Sequence, residues 1–286
     1  MKLFARQKKE SVIEAPVVLD LSGENLKFAF ERLLGACDEQ GGIERFSYAL
    51  QVRRDAFKSS FNFKSPTIPG TATFQALCAY MPTVRRRIAP YIEHSEKNKI
   101  LKQALLILQD GAENVVDADE RINKFCSAFP KDKEHRWVWD LACEILHGTD
   151  PERYPLMCRW IWDTSTNTGV LREIWFSENL DHVIIDVSNN FETFIALRQE
   201  LSKYLSENGV YRDMLQVVDL LQAQIYAGYI CEHGSTYIRA DFTNPEDPMM
   251  HIRRLLGLDG VSSKGRSRLK TIEGQSVQFD TNNFLS

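Results

Sequence analysis

All five tryptophans of this 286-residue chain, Trp137, Trp139, Trp160, Trp162 and Trp175, fall between residues 137 and 175. Tryptophan is the largest apolar side chain, and its N–H must still find an acceptor when buried. Such a concentration therefore predicts either a heavily buried packing centre or an aromatic contact surface. Core packing is the commoner fate. The pairs 137/139 and 160/162 are spaced two apart, so on a helix their rings point in different directions. One ring of each pair can brace the core while the other approaches the surface. Whatever the chain folds into is organised around this segment.

The segments on either side carry helix periodicity. Ser22 starts a helix over about 24–38, with Leu26, Phe30, Leu33 and Leu34 on one face and a stop at Gly35 or Gly41-Gly42. Ile100, Leu101, Ala104, Leu105 and Leu108 recur at three- and four-residue steps over 96–109. Residues 117–129 give a shorter helix. His135–His147 gives another, with Trp139, Ala142, Cys143 and Leu146 on its buried face. Phe191–Leu205 and Tyr211–Cys231 read as an antiparallel helical pair, and Met249–Leu256 as a last short helix. Prolines and glycines at 66–70, 82, 90 and 244–248 break the chain between these elements. Leu156–Asp163 is apolar enough for a buried helix or strand, and the best strand candidates are Val170–Phe176 and Val183–Val187. From Asp259 onward the chain is rich in Ser, Gly, Asn, Lys and Arg, which predicts a flexible tail.

The expectation is a mainly α, irregular multihelical protein with a small β element around 170–187 and a flexible C-terminal tail. Its parts are an N-terminal arm (1–23), a multihelical body (24–258) with a softer lobe boundary at 165–190, and the tail (259–286). No repeat of fixed period supports a solenoid or coiled coil.

A net charge of −4, with 26% charged residues, supplies no whole-molecule basic field, so attraction to nucleic acid must come from local patches. Six widely spaced cysteines without a Cys-x-x-Cys pair, and a start lacking the apolar run of a signal peptide, point to the cytoplasm. No apolar run is long enough to span a membrane. Phosphate-loop, dinucleotide, nucleophile-elbow and His-Glu-x-x-His motifs are missing, so neither a cofactor nor a metal is expected. Ile68-Pro69-Gly70-Thr71-Ala72 resembles the hairpin of helix-hairpin-helix DNA glycosylases over these residues alone. It lacks that hairpin's second glycine and the lysine and aspartate that follow it in the family, so the chain is not assigned there.

Three groups of residues carry functional expectations. Asp140, His147 and Asp163, in the tryptophan segment, are candidates for acid–base or metal-ligand roles, although their spacing fits no known motif. His147 beside Gly148 is equally explained as a residue favoured by a helix C-terminus. The basic residues form clusters at Arg53-Arg54, Arg85-Arg86-Arg87, Arg253-Arg254, and Lys264, Arg266, Arg268 and Lys270, suited to phosphate contact. Phe279, Phe284 and Leu285 are apolar anchors at the end of the tail, suited to docking on this protein or on a partner.

The leading expectation is a non-catalytic helical adaptor or subunit of a larger intracellular assembly. It would touch DNA or RNA through its arginine clusters and a protein partner through its tail. The alternatives are a glycosylase-like or nuclease-like enzyme with a pocket beside the tryptophans, and a purely protein-binding scaffold. The scaffold would show its basic clusters on unrelated faces.

Overall fold

The computed structural model describes residues 17–61, 70–93, 97–109, 118–177, 183–234, 249–262 and 264–278. In chain order its helices are α1 (Gly23–Asp38), α2 (Ile43–Ser60), α3 (Thr71–Ala79), α4 (Ala89–Glu93), α5 (Lys97–Gln109) and α6 (Ala118–Ser127). They continue with α7 (Trp137–Thr149), α8 (Val170–Glu173), α9 (Phe191–Glu207), α10 (Met214–Gly234) and α11 (Met250–Leu255). Strands β1 (Arg266–Lys270) and β2 (Ser276–Gln278) form one antiparallel hairpin. The protein is thus mainly α with a small two-stranded sheet.

Local chemistry sets the helix ends. Ser22 Oγ accepts the Asn25 amide at 3.3 Å to open α1, and Asn190 Oδ1 accepts the Thr193 amide at 3.1 Å to open α9. Each satisfies an N–H that has no intrahelical acceptor. Leu26, Phe30, Leu33 and Cys37 then form the buried stripe of α1. Leu197, Leu201 and Leu205 do the same for α9.

Two helices occupy the centre. In α7 every residue except Trp139 is buried, because α2, α5 and α6 pack around it. The other, α10, packs against α1, α2, α8, α9 and α11. Helices from both sides of residues 165–190 therefore share one hydrophobic cluster, which runs from Leu26 to Leu269. At the crossing of α2 and α7 the Phe57 ring packs so closely on the α7 backbone that a Cβ on Gly148 would lie 2.4 Å from it.

The tryptophans sit in this core with one difference from expectation. Trp137, not Trp139, faces inward on α7; Trp139 is half-buried and donates its indole N–H to Met157 O at 2.9 Å. Trp160 and Trp162 are both buried, because the segment carrying them has no solvent face. Leu156–Asp163 is neither helix nor strand but a buried irregular connector. Its backbone is satisfied piecemeal: Arg159 N donates to Asp140 Oδ1, and the carbonyls of Trp160 and Ile161 accept from Val170 N and Leu171 N.

The sheet is not at residues 170–187. Val170–Glu173 is a helical turn packed on α10, and residues 183–189 form no helix and join no strand ladder. There side chains replace a partner strand: Asn167 Oδ1 accepts Ile185 N, and Val187 O accepts the Trp162 indole N–H. The sheet lies instead in the stretch expected as a tail. In β1, Ser267 and Leu269 are buried while Arg266, Arg268 and Lys270 face solvent. With a single aliphatic residue, Arg-Ser-Arg-Leu-Lys shows no hydrophobic alternation, and contact with α3 supplies the buried side. Gly257, at φ +71°, passes so near α3 that a Cβ would fall 2.0 Å from Tyr80 O. Residues 1–16 of the expected arm, positions 68 and 69 of the hairpin-like stretch, and residues 279–286 lie outside the described residues. No described helix is long and apolar enough to cross a membrane.

Candidate nucleic-acid interface

The close approach of residues 257–260 to the end of α3 brings together basic clusters that are far apart in sequence. Asp259 is their common point. Its carboxylate accepts Arg85 Nη1 at 2.9 Å and Arg268 Nε at 2.8 Å, with Arg254 Nε at 3.8 Å. One carboxylate thus faces three guanidinium groups, which leaves a local excess of positive charge. Arg85 is buried, and burial lowers the pKa of its guanidinium against the opposing pull of Asp259. The two residues that follow it, Arg86 and Arg87, are exposed.

From this node the hairpin projects its cations outward. Lys264 is exposed, and Arg266, Arg268 and Lys270 occupy alternate positions of β1, hence one face, about 6.6 Å apart along the strand. Lys270 Nζ also donates to Ser276 Oγ at 2.8 Å, which steadies it across the hairpin. Arg253 donates to Gln40 Oε1 at 2.5 Å.

Arg53 and Arg54 are placed differently. Arg53 is buried, donates to Glu144 Oε2 at 2.5 Å and to Tyr80 O at 3.1 Å, and lies 4.9 Å above the Phe57 ring. Arg54 pairs with the exposed Glu152 at 2.8 Å.

Asp140, His147 and Asp163 do not converge on one reacting position. On α7, Asp140, Glu144 and His147 stand at i, i+4 and i+7 and form a buried polar stripe in an otherwise apolar helix. Buried charges are tolerated only when paired, and each member of the stripe has its own partner. Arg159 Nη2 meets Asp140 Oδ2 at 2.8 Å, Arg53 meets Glu144, and Asp219 Oδ2 meets His147 Nε2 at 3.1 Å. Desolvation pushes the Asp140 and Glu144 carboxyls up, against the pull of these arginines. Asp163 accepts Arg136 Nη2 at 2.7 Å and Ser165 N at 3.0 Å.

His147 Nδ1 faces Tyr154 O at 2.9 Å. A carbonyl only accepts, so this nitrogen carries a proton. With Nε2 held by Asp219, neither ring nitrogen is free to take a proton from a substrate. Cys126, Cys143 and Cys158 are no better nucleophiles: burial raises Cys143 and Cys158 well above the usual range, and Cys126 to about 11. Among the described residues, no three His, Cys, Asp or Glu side chains gather as a metal-ligand set.

Glu144 went unread in the sequence, although its place in the α7 period, between Asp140 and His147, could have indicated it. Arg159, Asp219 and Asp259 carry no such signal, because nothing local to them indicates which charge they meet. Phe279, Phe284 and Leu285 lie outside the described residues. No protein family, curated protein or solved structure matches the chain.

Proposed function

We propose that this protein is a non-catalytic helical adaptor or subunit that binds the phosphate backbone of nucleic acid. The contact face comprises Lys264, Arg266 and Lys270 on the hairpin, with Arg86 and Arg87 on the neighbouring turn. The observation that carries this reading is the Asp259 node, which joins the Arg85 turn to the hairpin so that their exposed cations extend from one anchored base. Scattered clusters, as in a pure scaffold, have no such shared anchor. An extended strand presenting arginine and lysine at every second residue suits repeated phosphate contact, which gives affinity without sequence preference. Phe279, Phe284 and Leu285, which follow the hairpin directly in the chain, are the anchors offered to a protein partner in the same assembly.

Salt dependence tests the reading. Replacing Arg266 and Lys270 together by alanine removes two phosphate contacts and should reduce the slope of log K against log salt by about 2, for DNA and RNA alike. Neither side chain is buried, so the variant keeps its fold. An unchanged slope and affinity would reject the hairpin as the binding face.

A further inference from the structure

The hydrogen bonds of His147 fix how many protons its ring carries. The His147 side chain is 7% exposed and that of Asp219 12%, so the contact between them is largely shut from water. Nδ1 lies 2.9 Å from Tyr154 O, and Nε2 lies 3.1 Å from Asp219 Oδ2. A carbonyl oxygen only accepts, and so does an ionised carboxylate. Neutral imidazole has a single N–H, which the carbonyl requires. Without a second proton the Nε2 lone pair would face a carboxylate lone pair, at a separation that leaves no room for a water between them. One further proton therefore lies between Nε2 and Oδ2. Imidazole is the stronger base of the two, so the ring holds it.

We propose that His147 is an imidazolium in the native protein at neutral pH, and that its ion pair with Asp219 is a proton-dependent latch between the two central helices. The latch ties the last turn of α7 to the second turn of α10, beside a small half-open cleft that Arg53, Arg54 and Gln216 also line. A cation at the C-terminus of α7 meets the negative end of the helix dipole, which favours the charged ring. The charges around the latch have partners of their own. Glu144, one turn back on α7, is held by Arg53 from α2, and Arg54 is held by Glu152. Arg121 of α6 donates to the Tyr154 hydroxyl. Arg198 of α9 donates to Pro151 O and Glu152 O, and burial lowers its pKa against the pull of Asp219 and Asp150. When His147 loses its proton, two lone pairs oppose each other. Asp219 then turns toward Arg198, which releases α10 from α7 at this point and widens the cleft.

The unfolded chain gives up a histidine proton near about pH 6.5, whereas the folded chain keeps this one. The latch therefore stabilises in full below that pH, and its contribution falls as pH rises until the folded ring is neutral. Across that window one retained proton lowers the folding constant by about tenfold for each pH unit.

Two measurements on the full chain test this. Long-range nitrogen-15 NMR of the histidine rings at neutral pH should show both nitrogens of His147 protonated, the ring being assigned through its contact with Tyr154. D219N offers an amide that can donate to a bare Nε2, so in that variant His147 should carry one N–H at the same pH. Urea unfolding at a series of pH values above about 6.5 should then show the folding constant of the native chain falling more steeply than that of D219N or H147Q, by up to about tenfold per pH unit. Asp140 and Glu144 are present in all three chains, so their part of the pH dependence cancels in the comparison. The excess slope should end where the NMR signals show Nε2 losing its proton. If both variants are too unstable to unfold cleanly, the NMR of the native protein decides alone. A bare Nε2 at neutral pH overturns the proposal, and so does one pH slope shared by the native chain and both variants.

Discussion

Replacing Arg53 by methionine should destabilise the fold rather than merely weaken a surface contact. The Arg53 side chain is 6% exposed and that of Glu144, which it meets, is 3% exposed, so the variant strands an acid in the core. Breaking a buried ion pair from one side costs about 3–5 kcal/mol, and the lost bond to Tyr80 O falls within that range. With a urea slope of roughly 3 kcal/mol/M, the unfolding midpoint should drop by about 1 M or more. The clustered tryptophans make intrinsic fluorescence the natural probe. The double variant R53M/E144L removes the stranded charge as well and should return to within about 1–2 kcal/mol of the parent, since a buried pair is often no better than apolar packing. A loss below about 1 kcal/mol in R53M would refute this account. So would lost nucleic-acid affinity at unchanged stability, which would place the Arg53 charge at the surface.

Two further outcomes follow from the packing and from the buried acids. In G148A the new methyl must move the Phe57 ring by about 1 Å to reach an ordinary contact, an overpacking that costs about 1–3 kcal/mol; urea unfolding should show the loss, and G148A/F57L should be less destabilised than the two single changes added together. Burial holds the Asp140 and Glu144 carboxyls above their unfolded values, so the folded state keeps protons that the unfolded chain releases above about pH 4. Their contribution to stability should therefore fall as pH rises from about 4 through the raised folded values, then level off. E144Q and D140N should each flatten that fall in a series of urea midpoints against pH, and an equally steep fall in both variants would count against the assignment.

The helices were legible because their signals are local. A cap such as Ser22 or Asn190 acts over three residues, and an apolar face repeats every three or four. The same local reading misplaced the sheet. Val170–Phe176 has strand composition, yet its first turn closes as a helix on α10, whereas Arg266–Lys270 has almost none and pairs because α3 covers its inner face. The tryptophans marked the centre of the core, but which ring faced inward depended on what surrounded α7 on its remaining sides.

The candidate site divides along the same line. Residue type and spacing identified the basic clusters and two of the three polar positions of α7. They could not say that Arg53 and Arg85 would enter the core while Arg86, Arg266 and Lys270 stayed in water. A buried charge is stable only if its partner arrives, and the partners are distant: Glu144 lies 91 residues from Arg53, Asp259 lies 174 from Arg85, and Asp219 lies 72 from His147. By itself the sequence determined a helical body built around one aromatic segment, because periodicity and capping act within a turn or two of the chain. Only the tertiary structure decided which charges became internal ion pairs and which became a surface, because desolvation is set by neighbours in space.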